Sequence, residues 1–91
     1  MITMTKVMTV RIRMTDGTEE RFLVPHTAKV REIKQLIEQK RKIPMDRQRL
    51  VYGGKVLDES DSLKSLSFQN EGVIFCVVRS IAGVKFGRET V

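Results

Sequence analysis

The chain is poor in the residues that protein chemistry uses most. Its 91 residues include one cysteine, one histidine, one tyrosine, two prolines and no tryptophan. A lone thiol, Cys76, cannot close an internal disulfide, which fits a reducing compartment. The sole imidazole, His26, falls in a loop remote in sequence from Cys76. No Cys/His pair is therefore available for nucleophilic catalysis, and no cluster has metal-ligand spacing. Gly53-Gly54-Lys55 lacks both the leading glycine and the trailing Ser/Thr of a phosphate loop. These absences argue against an enzyme and leave no cofactor to expect. Aromatic residues make up 5% of the chain, too few for a base-stacking set, and the longest basic run is Lys40-Arg41-Lys42. Nucleic acid is therefore not the expected partner, although the net charge of +6 favours acidic ones. No apolar run approaches the ~20 residues that span a bilayer, and residues 1–7 are too short and too polar for a signal peptide. The expectation is a cytoplasmic or nuclear protein, off the membrane and monomeric.

An apolar content of 41% suits a folded soluble chain. The length suits one domain with a single modest core, burying roughly 60–65% of the unfolded surface. Residues 8–14 alternate: Met8, Val10, Ile12 and Met14 face one way, Thr9, Arg11 and Arg13 the other, as in a strand with one buried side. Asp16-Gly17 signals a hairpin, and Phe22 and Val24 continue the apolar face on a second strand. Glu20 shares their parity and is expected at the open end of the hairpin, its carboxylate in water. Pro25-His26-Thr27 is a connector. Over 29–41 the spacing becomes helical: Val30, Ile33, Leu36 and Ile37 form the apolar stripe, with Arg31, Glu32, Lys34, Glu38, Gln39 and Lys40 on the wet side. Thr27 is the best available N-cap.

The stretch 43–57 organises the rest. Lys40, Arg41 and Lys42 place positive charge at the helix end, and Pro44 disfavours helical geometry at Ile43. Residues 48–52 can run as a strand, and Gly53-Gly54 supplies the reversal. The acidic and serine-rich loop 58–62 follows, where Asp61 or Ser62 can cap a short helical turn at 63–66. Phe68 is expected to plug the core beneath that loop. Gly72 precedes a last strand, residues 73–78, that is apolar on both faces.

Ile43, Pro44, Asp46, Gln48, Arg49, Leu50, Val51, Tyr52, Gly54, Lys55 and Leu57, in that order, resemble the centre of the ubiquitin family, and the similarity runs without gaps over 8–79. The resemblance implies an α+β, β-grasp fold: a mixed five-stranded sheet packed on one main α-helix, plus a short helical turn. Residues 1–7 and 80–91 are then flexible tails. The expected core includes Val10, Ile12, Val24, Val30, Ile33, Ile37, Leu50, Leu57, Leu63, Ile74 and Cys76. The family often has glycine at the helix C-cap, where this chain has Lys42. A left-handed Lys42 costs on the order of 1 kcal/mol.

A last strand apolar on both faces usually lies buried on both sides. One helix, however, covers only one face of a small sheet. The resemblance puts Ile74, Cys76 and Val78 under the helix and Val73, Phe75 and Val77 on the open face. Val51 then lies beside Phe75 and Val77, because Leu50 points inward. Arg49, Lys55 and Arg79 are expected to ring this apolar cluster. The matching positions form the family's main recognition patch, with Phe75 here in place of a histidine and Thr15 in place of a leucine. An apolar patch with a polar rim is a protein-docking surface.

Two functions follow. One is a non-catalytic interaction domain of the ubiquitin–proteasome pathway, binding ubiquitin receptors, proteasome subunits or conjugation enzymes. The other is a protein modifier joined to target lysines through Gly83 after removal of residues 84–91. A modifier must end in a slim glycine carboxylate, and Ser80, Ile81 and Ala82 depart from the family's ending, which favours docking. Lys55 and Lys34 match lysines that carry chains in the family.

Overall fold

The structure, a computed structural model, describes residues 6–79. The expected tail at 80–91 and its Gly83 lie outside the described residues, as do residues 1–5. Strand β1 (Val7–Met14) starts one residue earlier than its alternation suggested and turns back at Gly17, whose φ of 90° only glycine adopts easily. Strand β2 (Glu19–Pro25) returns antiparallel, helix α1 (Val30–Arg41) crosses, and a single 3-10 turn (Met45–Arg47) leads into β3 (Gln48–Tyr52). The two-residue reversal at Gly53 and Gly54, both at positive φ, connects β3 to the short β4 (Lys55–Val56). Strand β5 (Val73–Val78) closes the sheet in the order β2-β1-β5-β3-β4. Strand β5 lies parallel to β1 and antiparallel to β3, so the mixed five-stranded sheet on one helix is the β-grasp that the resemblance implied.

The core sits between the sheet and α1. Every expected core residue is buried there, and Met8, Met14, Ala28 and Phe68 join them. Phe68 fills the space under the long loop and stacks at a tilt against Tyr52, ring centroids 4.9 Å apart. Gly72 admits it: a Cβ there would come within 3.0 Å of the Phe68 ring.

Local details depart from the sequence reading for physical reasons. Thr27 does not cap α1. Lys29 occupies the cap position, its N–H donating to the Glu32 carboxylate at 3.3 Å. The N–H groups of Val30 and Arg31 donate to the carbonyls of Asp61 and Glu59, so the loop supplies what a capping side chain would have supplied. Lys42 does take the left-handed conformation, with φ 62°. Lys34 is not on the wet side: it is buried, and its Nζ reaches the Glu59 carboxylate at 3.4 Å. Its carbonyl accepts from Gln48 Nε2, which also donates to Ile43. Glu20 does not lie in water, because Arg41 from the helix end reaches over it, Nε to Oε2 2.7 Å. The short helical element falls at Met45–Arg47; residues 63–67 form hydrogen-bonded turns, in which Ser62 Oγ accepts the Ser65 N–H. Val78, the last residue of β5, shares the inward parity but stands exposed.

Candidate docking face

The face of the sheet away from α1 is uncovered. Its composition follows from register. Phe75 lies opposite Val51, and Val51 lies opposite Val56. On the other side, Arg13 lies beside Phe75 and Glu19 opposite Arg13. One cross-strand row therefore reads Glu19, Arg13, Phe75, Val51, Val56. Partners directly across a ladder share a face, so this row presents three apolar side chains together. Phe75 and Val56 are 48% and 53% exposed, and Val77 is 39% exposed beside them, which is unusual for side chains of this kind.

The residues marked from the sequence are placed as follows. Val51, Phe75 and Val77 come together as one cluster, with Val51 half-buried. Arg49 pairs with Val77 in register and is exposed. Arg79 follows the end of β5, its N–H donating to the Arg47 carbonyl at 2.7 Å and its side chain exposed. Lys55 lies opposite Tyr52, in alternation with Val56, so register puts Val56 rather than Lys55 next to Val51. Thr15 is exposed just past β1. Lys34 is far from this cluster in the fold, on α1 under the loop with Glu59.

Two groups on this face escaped the sequence reading. One is Val56, which the β3–β4 pairing alone reveals. The other is a charged half formed by β1 and β2. There the Glu19 carboxylate accepts from Arg11 Nε at 3.0 Å and Nη2 at 3.2 Å, and from Arg13 Nη2 at 3.1 Å. Arg21 Nε stands at 3.8 Å. The hydrogen bonds from Arg11 and Arg13 hold the Glu19 carboxyl below the usual carboxylate range, and Glu19 in turn raises the Arg11 guanidinium. The outward parity of Arg11 and Arg13 was legible, but their position beside the apolar cluster depends on the parallel β1–β5 pairing.

Cys76 is buried behind Phe75, and burial pushes its thiol up. Among the described residues no group of His, Cys, Asp or Glu is arranged to hold a metal ion, and no helix is long and apolar enough to cross a membrane. The site offers shape and charge for binding.

The profile of the ubiquitin family matches residues 9–81. A ubiquitin-like protein, NEDD8, of Dictyostelium discoideum is 27% identical over 77 residues, covering 85% of this chain and 100% of that protein. Among solved structures, the ubiquitin of Caldiarchaeum subterraneum superposes with a TM-score of 0.78 at 24% identity, covering 86% of this chain and all of that one. An N-terminal ubiquitin-like domain solved in solution superposes with a TM-score of 0.80 at 24% identity, covering 92% of this chain and 86% of that one.

Proposed function

Because the chain belongs to the ubiquitin family, we propose that it is a non-catalytic docking domain of the ubiquitin–proteasome pathway that binds partner proteins through the open face of its sheet. The observation that carries this reading is the row Phe75, half-buried Val51 and Val56 with Val77 beside it, an apolar cluster that folding does not require to be open to solvent. Central, desolvated side chains dominate protein interfaces, and Phe75 is the largest on this face. Arg49 and Arg79 act at the rim, where charge sets association rate and salt dependence more than affinity. The partner is a ubiquitin receptor, a proteasome subunit or a conjugation enzyme. The test is a titration of the labelled chain with a proteasomal or ubiquitin-receptor fragment, followed by amide shifts. Shifts centred on Phe75, Val51 and Val77 support the reading; shifts centred on the outer face of α1, around Arg31 and Glu38, overturn it.

The second reading is the modifier. It draws support from the full-length coverage of the Dictyostelium relative, a protein with no part left over. It requires cleavage after Gly83, and intact-mass analysis from native cells decides it: adducts on target lysines through Gly83 replace docking by tagging.

A further inference from the structure

Resting on the docking reading above, we propose that the arginine cluster on the β1–β2 half of the open face binds a run of carboxylates in the partner, next to an apolar side chain seated on Phe75. In this arrangement Arg13 and Arg21, more than the rim at Arg49 and Arg79, select the partner. Arg11, Arg13 and Arg21 converge on one carboxylate, that of Glu19. Among the described residues no other acidic residue occupies a strand position on this face, whose further register positions are Val7, Thr9, Leu23, Pro25, Val73, Phe75, Val77, Arg49, Val51 and Val56; Glu71, in the turn before β5, acts on Arg11 from beyond the strand end. The Glu19 carboxylate is already occupied by three N–H donors. It fixes Arg11 through both oxygens and steadies Arg13, which lowers the ordering cost of a further contact. Arg13 spends only Nη2 on it, and Arg21 approaches without a hydrogen bond, so among the described residues both keep guanidinium donors directed to solvent.

The spacing fits a protein segment. Neighbouring strands lie about 4.8 Å apart, so Arg13 is one strand from Phe75; Arg21, opposite Arg11, is two strands away and displaced by two residues, about 6.8 Å, along β2 from Glu19, which ends the Phe75 row. A helix rises about 5.4 Å per turn, so one that crosses the strands obliquely, away from Glu19, carries acidic side chains one and two turns from the apolar anchor toward Arg13 and Arg21. A polyphosphate backbone would match the charge but leave Phe75, Val51 and Val56 uncovered, and the face has no aromatic series on which bases could stack. Guanidinium forks also suit paired carboxylate oxygens better than ammonium groups do.

The experiment is selection of a displayed random-peptide library on the full chain and on an Arg13→Glu/Arg21→Glu variant. Both positions are exposed, and retention of the wild-type amide spectrum shows that the variant folds. Expected peptides from the wild type carry Asp or Glu within two helical turns of a large apolar residue. They shift the Arg13 and Arg21 guanidinium signals together with the Phe75 amide. They bind the variant at least about tenfold more weakly and lose affinity between 50 and 300 mM NaCl. The variant selects basic peptides instead. Peptides that shift Phe75 and Val51 but lack acidic residues, or that bind the variant equally well, overturn the acidic reading and leave the docking face intact. Peptides that shift neither, or a short DNA duplex that moves the arginine signals at lower concentration than any selected peptide, overturn the inference; the first of these also removes the docking reading.

Discussion

The two faces of the sheet are made by alternate residues of the same strands, yet they obey different rules. Under α1 the alternating set Val10, Ile12, Leu50, Ile74 and Cys76 is fully or almost fully buried, together with Val30, Ile33 and Ile37 from the helix. On the other side the intervening residues divide by strand. Strands β1 and β2 present arginines about Glu19, with Leu23 and Val7 exposed toward the other end of the pair, whereas β5, β3 and β4 present Phe75, Val77, Val51 and Val56 beside Arg49. The covered face is what a β-grasp needs to fold, because burying apolar area is the main favourable term. The open face is under no such demand. Its apolar cluster adds little to folding and two of its arginines, Arg13 and Arg21, are exposed, which is the pattern on which the proposed docking rests.

The sharpest way to break the comparison is to delete a side chain from the covered face. Ile33→Ala or Leu50→Ala, each at a fully buried site, should lower stability by roughly 2–5 kcal/mol, since the lost transfer energy is joined by a cavity. Urea unfolding reads this directly. A loss below about 1 kcal/mol would mean that the helix and sheet are not closely packed there.

The matching deletion on the open face should separate binding from folding. Phe75→Ala removes a half-exposed ring whose cross-strand neighbours are Val51 and Arg13, such pairs being worth roughly 0.2–1 kcal/mol each. Partner affinity should fall by roughly 1–3 kcal/mol while the unfolding midpoint hardly moves. Equal losses in both measurements would make Phe75 a core residue and dissolve the distinction between the faces.

A third change tests the edge of the covered face. Lys42 ends α1 with φ 62° and donates its N–H to Glu38. Glycine adopts that conformation without the Cβ penalty, so Lys42→Gly should gain up to about 1 kcal/mol, reduced by the greater freedom of glycine in the unfolded chain. A loss on denaturant unfolding would show that the lysine side chain contributes more than its backbone costs.

These faces were unequally legible in the sequence. Period-two and helical spacing identified the covered face on β1, β2 and α1, because a buried set must be apolar wherever it falls; on β5, apolar on both sides, the resemblance chose the parity of Ile74 and Cys76. The strand 48–52 and the Gly53-Gly54 reversal followed from local chemistry, whereas the left-handed Lys42 was suggested by the resemblance, which often has glycine at that cap. What failed was whatever depended on a distant segment. Lys34 read as solvated until the loop brought Glu59 to its ammonium group, Glu20 until Arg41 reached across, and α1 needed no side-chain cap because the carbonyls of Asp61 and Glu59 met its first N–H groups. The apolar cluster of Val51, Phe75 and Val77 was legible, but its neighbours Val56 and Arg13 are set by strand pairing, which no single segment encodes.

The smallest expected effect concerns the charged half of the open face. Glu19 has a folded carboxyl pKa below its ordinary value because Arg11 and Arg13 donate to its charged form. A depressed carboxylate contributes stability that is fully present above its unfolded value, near 4.3, and lost as pH falls through the folded value. Glu19→Gln should therefore be slightly less stable than the wild type at neutral pH, and the two unfolding curves should converge as pH drops below about 4. Asp16 and Asp58, lowered by hydrogen bonds from Thr18 and Ser60, remain in the variant and keep part of its acid sensitivity. High salt should also shrink the neutral-pH difference, since these groups are open to solvent. A difference that persists unchanged at pH 2, or that grows with salt, would assign Glu19 a packing role. The carboxylate would then not be holding the arginines in place by charge, and the open face would owe its order to the fold beneath it.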